Sequence, residues 1–312
     1  MTVTDNEGRH TMRVFITGAS GWIGSAVIPE VLAAGHEVVG LARSDEAAAT
    51  VAAAGAKVLR GSLDDLDRLR TGTEESEAVI HLAFKHDFSD IAGAGRTERA
   101  AIETIGTALE GTGRPFLFAS GTLMLAPGRL LTERDEVPWS GPDSPRGGAE
   151  QLAFSYLPRG VRPVSLRFSP TVHGPGDHGF MSTLVQVARE RGTAGYVGDG
   201  ANRWPAVHRA DAARLVRLAL EQAPAGTVVH AVAEEGVPAR DIARAIGDQL
   251  GVPVTSVAPD AAAEHFGWIG AFFGADAPAS SALTRELLGW TPTEQGLIAD
   301  LEAGHYTGSY VS

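Results

Sequence analysis

The chain has no cysteine among its 312 residues, which excludes disulfides, thiol catalysis and thiolate metal sites. It has no apolar run near the roughly 18 residues of a membrane-spanning helix. Its first residues lack the apolar centre of a secretory signal, so a cytoplasmic protein with no membrane partner is the expectation. Basic charge is scarce: 26 Lys and Arg face 38 Asp and Glu, a formal net charge of -12. That balance argues against nucleic acid, whose phosphates select basic patches. No internal repeat is visible. What is present, 44% hydrophobic and 21% charged residues, is the composition of an ordinary globular protein long enough to bury a sizeable core. Only the ends, beginning with the polar residues 1–11, are expected to be loose.

The most informative stretch is Arg-Val-Phe-Ile-Thr-Gly-Ala-Ser-Gly-Trp-Ile-Gly, residues 13–24. Val14, Phe15 and Ile16 read as a strand buried on both faces. Gly18, Gly21 and Gly24 follow at the spacing G-x-x-G-x-x-G. Gly18 permits a sharp exit from the strand, Gly21 lets backbone approach a pyrophosphate, and Gly24 lets the next helix lie close to the sheet. The phosphates would rest on the helix N-terminus, where free N–H groups and the dipole favour an anion. Thr17, Ser20, Trp22 and Ile23 belong to the same turn. A second strand over 37–41 completes a β-α-β unit, and Pro29 is expected to kink the helix between the two strands.

About twenty residues beyond the glycines, where this kind of unit places the adenine ribose, stand Arg43 and Ser44. An arginine and a small hydroxyl residue suit a 2′-phosphate, so NADP is the favoured cofactor; Asp45 beside them keeps NAD possible. Further strands are expected over 57–61, 78–83, 115–119, 163–168 and 228–232. Helices are expected over 47–54, from 63, and over 96–111, 146–157, 211–222, 238–251 and 282–289. Residues 173–208 read as glycine turns and aromatics in loops. The fold class is α/β, a doubly wound parallel Rossmann sheet over 12–172 with 209–233 returning to it. A smaller substrate lobe comprises 173–208 and 234–312.

These residues resemble the extended short-chain dehydrogenase/reductase superfamily over nearly the whole chain. The likeness rests on Thr17-Gly18-x-x-Gly21-x-x-Gly24, on Val79-Ile80-His81-Leu82-Ala83, and on Arg167 followed by Val172-His173-Gly174-Pro175-Gly176-Asp177. It continues through Gly198-Asp199-Gly200, Val207-His208 with Asp211, and Leu288-Gly289-Trp290-x-Pro292. The resemblance implies that Leu82 and Ala83 contact the cofactor and that a hydroxyl residue after the fifth strand, Ser120 or Thr122, orients the substrate. It also implies a Tyr-x-x-x-Lys pair. Glu150 matches a glutamate that follows that lysine in the family, which places Arg146 at the lysine and Pro142 at the tyrosine. The family's proton-transferring tyrosine is therefore missing, as in atypical branches.

Arg146 can bind ribose hydroxyls and stabilise an oxyanion, but its pKa above about 12 makes it a poor acid near neutrality. The proton donor expected instead is His86, in the loop after the fourth strand, with Lys85 and His178 in reserve. Tyr156 lies too far along its helix to replace the missing tyrosine and reads as a packing residue. His81, His173 and His208 lack ligand spacing, so no metal site is expected. The leading function is NADPH-dependent reduction of a small organic C=O, C=N or activated C=C substrate. The alternatives are a sugar-nucleotide epimerase or dehydratase, and a non-catalytic NADP-binding redox sensor. A homodimer is expected only by analogy with the family, through the helices over 96–111 and 146–157.

Overall fold

The computed structural model describes residues 11–85, 90–123 and 125–306. Its first half alternates strand and helix: β1 (Arg13–Thr17), α1 (Gly24–Ala33), β2 (Glu37–Ala42), α2 (Asp45–Ala53), β3 (Lys57–Arg60), α3 (Leu66–Glu74), β4 (Ala78–His81), α4 (Ile91–Ala108), β5 (Pro115–Gly121), α5 (Ala149–Phe154) and β6 (Arg162–Phe168). The second half contains β7 (Thr171–His173), α6 (Phe180–Arg191), β8 (Ala194–Val197), β9 (Arg203–His208), α7 (Arg209–Gln222) and β10 (Thr227–Ala231). It ends with β11 (Glu234–Pro238), α8 (Ala239–Leu250), β12 (Val254–Val257), α9 (Ala262–Phe266), α10 (Gly270–Phe273), α11 (Ala282–Leu288) and α12 (Leu297–Glu302).

Seven strands form the central sheet in the order β10-β6-β5-β4-β1-β2-β3. β1 pairs parallel with β2 on one side and with β4 on the other. The chain therefore winds outward to β3, returns to β4, and leaves a switch point at the carboxyl ends of β1 and β4, where doubly wound sheets bind ligands. Val14, Phe15 and Ile16 are wholly buried, as the apolar run requires of a strand covered on both faces. Smaller sheets, β11-β9-β7 and β12-β8, lie in the second half.

Contacts divide the chain into two compact units. One comprises 1–119, 139–165 and 216–227; the other comprises 120–138, 166–215 and 228–312. The first is packed around Phe15, Leu69, Val79, Ile102, Phe116 and Tyr156. The second has its own aromatic-rich core, including Trp204, Phe266 and Phe273.

The doubly wound sheet matches expectation, and α1 carries Pro29 without ending there. Two local readings are corrected. Residues 173–208 are not mainly loop: they hold β7, α6, β8 and β9. In α6, Met181, Leu184, Val185 and Ala188 are buried, and Gly192 closes the helix in the left-handed conformation at φ 66°. The helix expected from 146 begins only at Ala149, because Arg146, Gly147 and Gly148 all have positive φ, at 53°, 60° and 65°.

Candidate active site

The turn between β1 and α1 is built by backbone proximity. Gly18 has φ +68°, and a Cβ on it would stand 2.7 Å from the Ala83 amide nitrogen. Glycine is thus required both for conformation and for the approach of the chain leaving β4. A Cβ on Gly24 would strike the Gly18 carbonyl, whereas one on Gly21 would meet only that carbonyl, at 3.2 Å. The Gly21 amide donates to Gly18 O and the Ser25 amide to Gly21 O, both at 3.0 Å. Helix α1 then opens at Ile23 with no side-chain cap and no acidic residue in its first turn. By contrast α2, α3 and α4 are capped by Ser44, Asp65 and Asp90. A bare glycine turn leading into an uncapped helix leaves N–H groups and dipole for an anion, and a dinucleotide pyrophosphate fits there. Ser20, Trp22 and Ile23, half-buried along this turn, would border it.

At the end of β2, Arg43 is exposed, and among the described residues no hydrogen bond or ion pair engages it. Ser44 caps α2 by accepting from the Ala47 amide at 3.2 Å. Its carbonyl accepts from Arg60 Nη1 at 2.6 Å, while Arg60 Nη2 reaches Asp45 Oδ1 at 2.8 Å. Asp45, itself fully exposed, is thus paired through one carboxylate oxygen, and Arg43 is left without a counter-charge.

At the switch point, Thr17 Oγ1 lies 2.8 Å from His81 Nδ1 and accepts from the Ala83 amide at 3.3 Å. This ties the ends of β1 and β4 together and positions Leu82 and Ala83. His81 is wholly buried. Burial, reinforced by the positive charge of Arg146, lowers its pKa to about 3, so the imidazole is neutral near pH 7. It braces the strand ends and carries no charge of its own. Lys85 Nζ pairs with Asp64 Oδ1 at 2.6 Å, which ties the residues after β4 to the loop after β3. His86 lies outside the described residues.

Arg146 occupies an unusual backbone position: among the described residues it is the one non-glycine residue with positive φ. Gly147 continues the left-handed turn, and a Cβ there would strike the Gly95 carbonyl of α4; Arg99 Nη1 donates to Gly147 O at 3.1 Å. The turn aims the guanidinium at Glu98, with Nε donating to Oε2 at 3.0 Å and Nη2 to Oε1. Its flat face lies 4.5 Å from the centre of the Phe84 ring. Glu98 is 1% exposed. Burial raises its pKa, against the opposing pull of Arg146. Glu98 and Phe84 were not singled out from the sequence. Glu98 reads there as one more helix charge, and its buried neighbours Gly95, Ala101 and Ile102, which mark the inner face of α4, were the available signal.

Ser120 lies near the end of β5, half-buried, and among the described residues no hydrogen bond occupies its hydroxyl. Thr122 is buried; its amide donates to the Phe168 carbonyl at 3.0 Å, and its hydroxyl points to the same oxygen at 3.4 Å. Ser120 therefore offers the freer hydroxyl, and Thr122 fixes the chain beyond it. Tyr156 packs against Gly106 and donates its hydroxyl to Glu103 O at 3.2 Å. His173 is buried with Nδ1 3.1 Å from Asp300 Oδ2, and His208 stacks edge-on to it at 5.5 Å. Among the described residues no group of His, Asp and Glu is placed to hold a metal.

A glycine turn and an open helix N-terminus at the switch point of a parallel sheet define a dinucleotide-binding α/β protein. Residues 14–233 match the model of the NAD dependent epimerase/dehydratase family. The chain belongs to that family and, through it, to the extended short-chain dehydrogenase/reductase superfamily. It is 48% identical over 296 residues to the uncharacterized protein C2A9.02 of Schizosaccharomyces pombe, covering 95% of this chain and 100% of that one. It is 28% identical over 225 residues to a 4-hydroxy-2-methyl-3-oxo-4-farnesyl-3,4-dihydroquinoline-1-oxide ketoreductase of Stigmatella aurantiaca, 70% of this chain and 67% of that one. Among solved structures, the dTDP-glucose 4,6-dehydratase DesIV of Streptomyces venezuelae, a double mutant crystallised with NAD, matches with a TM-score of 0.74 and 23% identity. The match covers 94% of this chain and 96% of DesIV.

Proposed function

We propose that this protein is an NADPH-dependent reductase of a small organic C=O, C=N or activated C=C substrate. The observation that carries the reading is at the family's catalytic pair. Pro142 stands where the tyrosine belongs, and the arginine in place of the lysine is engaged by a buried glutamate. An epimerase or dehydratase must take a proton from an alcohol and hand one back within the same cycle, so it needs the missing pair as both base and acid. A reductase needs a proton donated once, to a product oxygen, nitrogen or carbon. A reduced nicotinamide held by the glycine turn supplies the hydride. Ser120 orients the substrate oxygen, and His86 gives the proton, with Lys85 in reserve. Arg146 acts on this reading through Glu98 and Phe84, holding the chain after β4 in place.

NADP is favoured over NAD because Arg43 is exposed and without a counter-charge while Asp45 is paired with Arg60. The Stigmatella relative, a ketoreductase by name, supports the reductase reading. A sugar-nucleotide dehydratase or epimerase is the second reading, favoured by the family name and by the dehydratase among the structural neighbours. Fluorescence titration with NADPH and NADH, followed by a screen of ketones, imines and enones for oxidation of the tighter cofactor, tests the proposal. Turnover with any class supports it. Tight cofactor binding with no oxidation across all classes, and conversion of a sugar nucleotide without net redox change, would replace it with the second reading.

A further inference from the structure

The alternation of side chains along β2 sorts the charges around Arg43 onto two faces of the sheet. Gly40 faces Ala19 and Val51, on the side of α2, whereas Leu41 packs in one cluster with Leu63 and Leu69, on the side of α3. β3 lies parallel beside β2, with Ala42 opposite Arg60. Arg60 turns to the start of α2, where it holds the Ser44 carbonyl and Asp45. Carried one residue past β2, the same alternation puts Arg43 on the α3 side with Leu41.

Arg68, the third residue of α3, comes to that side from the helix. Its stem lies on Gly61, the residue after β3: a Cβ built on Gly61 would stand 2.9 Å from Arg68 Cβ, 3.0 Å from its Cγ and 3.2 Å from Leu41 Cδ1. Gly61 in turn donates its amide to the Ala42 carbonyl at 3.1 Å, so the Arg68 stem sits one strand away from Arg43. Neighbouring strands are about 4.8 Å apart, which is less than the length of an arginine side chain. Side chains lean toward the N-terminus of their helix. Because α3 begins at the carboxyl edge of the sheet, the Arg68 guanidinium heads toward the edge where the glycine turn and Arg43 place the adenosine end of a dinucleotide. The carboxylates of this edge have other partners. Asp64 takes Lys85 at 2.6 Å, Asp67 takes Arg70 at 2.8 Å, and Asp65 caps α3 by accepting the Arg68 amide at 3.1 Å. Glu46, on the first turn of α2, is exposed and pairs with neither Arg43 nor Arg68. Arg68 is exposed like Arg43, and among the described residues no hydrogen bond or ion pair engages its guanidinium. Two guanidiniums on one face of one sheet edge repel each other, and an anion between them turns that repulsion into a grip.

We infer that Arg68 is a second phosphate-binding residue, closing from α3 on the 2′-phosphate of NADP that Arg43 meets from β2. NAD offers the pair no charge at that point, so Arg68 decides between the two cofactors and adds nothing to the affinity for both. The inference rests on the proposed preference for NADP, and its test is binding alone. NADPH, NADH and adenosine 2′,5′-bisphosphate are titrated into the parent protein, Arg68→Met, Arg43→Ala and Arg70→Met, by fluorescence for the reduced cofactors and by calorimetry for the bisphosphate. Arg68→Met keeps the stem over Gly61 and removes the charge; Arg70→Met removes from the same helix a charge that Asp67 already holds. Arg68→Met is expected to bind NADPH and the bisphosphate about tenfold more weakly and NADH within about twofold, while Arg70→Met binds all three as the parent does. NADPH affinity in Arg68→Met is also expected to fall less steeply with salt than in the parent. Equal losses for NADPH and NADH in Arg68→Met would make Arg68 a support of the adenine or of its loop and overturn the inference, as would an unchanged affinity for NADPH. A parent preference for NADPH that vanishes in Arg43→Ala and survives in Arg68→Met would refute the role of Arg68 and leave the NADP reading standing; a parent without that preference would refute both. Absence of NADPH oxidation in the substrate screen would refute the reductase reading and leave this binding result unaffected.

Discussion

Replacing Arg146 by methionine removes the guanidinium from a carboxylate that is 1% exposed. The buried Glu98 then has to ionise without its partner or take up a proton, and the second course sets the ceiling on the cost. The unfolded chain ionises a glutamate near its ordinary value of 4.5. Holding Glu98 neutral therefore costs about 3 kcal/mol near pH 7 and about 1 kcal/mol near pH 5.5, at about 1.4 kcal/mol per pH unit. Glu98 is a group whose folded pKa is raised by burial. Its favourable contribution is complete below the unfolded value and is lost as pH rises through the folded one, so the variant should lose more stability at higher pH. Urea denaturation of the parent and of Arg146→Met at the two pH values measures this. Adding Glu98→Gln to Arg146→Met should flatten the pH dependence. Arg146→Gly should be about 1 kcal/mol more stable than Arg146→Ala, because the left-handed backbone suits glycine. A pH-independent loss in Arg146→Met, unaffected by Glu98→Gln, would refute the reasoning.

His81 is neutral in the folded chain, with its pKa depressed to about 3 from 6.5. Its contribution is complete above 6.5 and drains away as pH falls toward 3, so His81→Asn should show shallower acid destabilisation in that window by circular dichroism. Arg43→Ala should weaken NADPH binding by tenfold or more and leave NADH binding within about twofold, read by fluorescence titration; equal losses for both would place the 2′-phosphate elsewhere. His86→Ala should lower kcat by about 100-fold or more with cofactor affinity retained, and Lys85→Ala much less, in steady-state assays. Full turnover in both variants would put the donor at another residue.

The nucleotide half was legible because its signals are local. A both-faces-buried strand, three glycines of which Gly18 and Gly24 could take no side chain without collision, and an arginine at a fixed distance beyond them are all written in one short stretch. What the sequence hid depends on meetings between distant segments. Glu98 and Arg146 are far apart in the chain, and only the left-handed turn through Gly147 and Gly148, which packs on Gly95, brings them together. The strands within 173–208 were masked by frequent glycine and proline, and β7 and β9 acquire their character by pairing with each other. The Asp45 to Arg60 pair was similarly invisible, since it follows from β2 and β3 being neighbours, with Ala42 opposite Arg60. At the candidate site, identity of the residues was readable but their commitments to partners were not.

The measurement that bears most directly on the proposed function is isotopic. The protein would be incubated with NADPH deuterated at the transferable position and the best ketone, imine or enone of the screen, and in parallel with oxidised NAD or NADP and a sugar nucleotide, and the products examined by mass spectrometry. A reductase predicts one deuterium in the reduced product, matched by an equal amount of NADP formed. No deuterium transfer to any carbonyl, imine or enone, together with a sugar nucleotide converted to an isomer or dehydrated product with no net reduction of the oxidised cofactor, would contradict it.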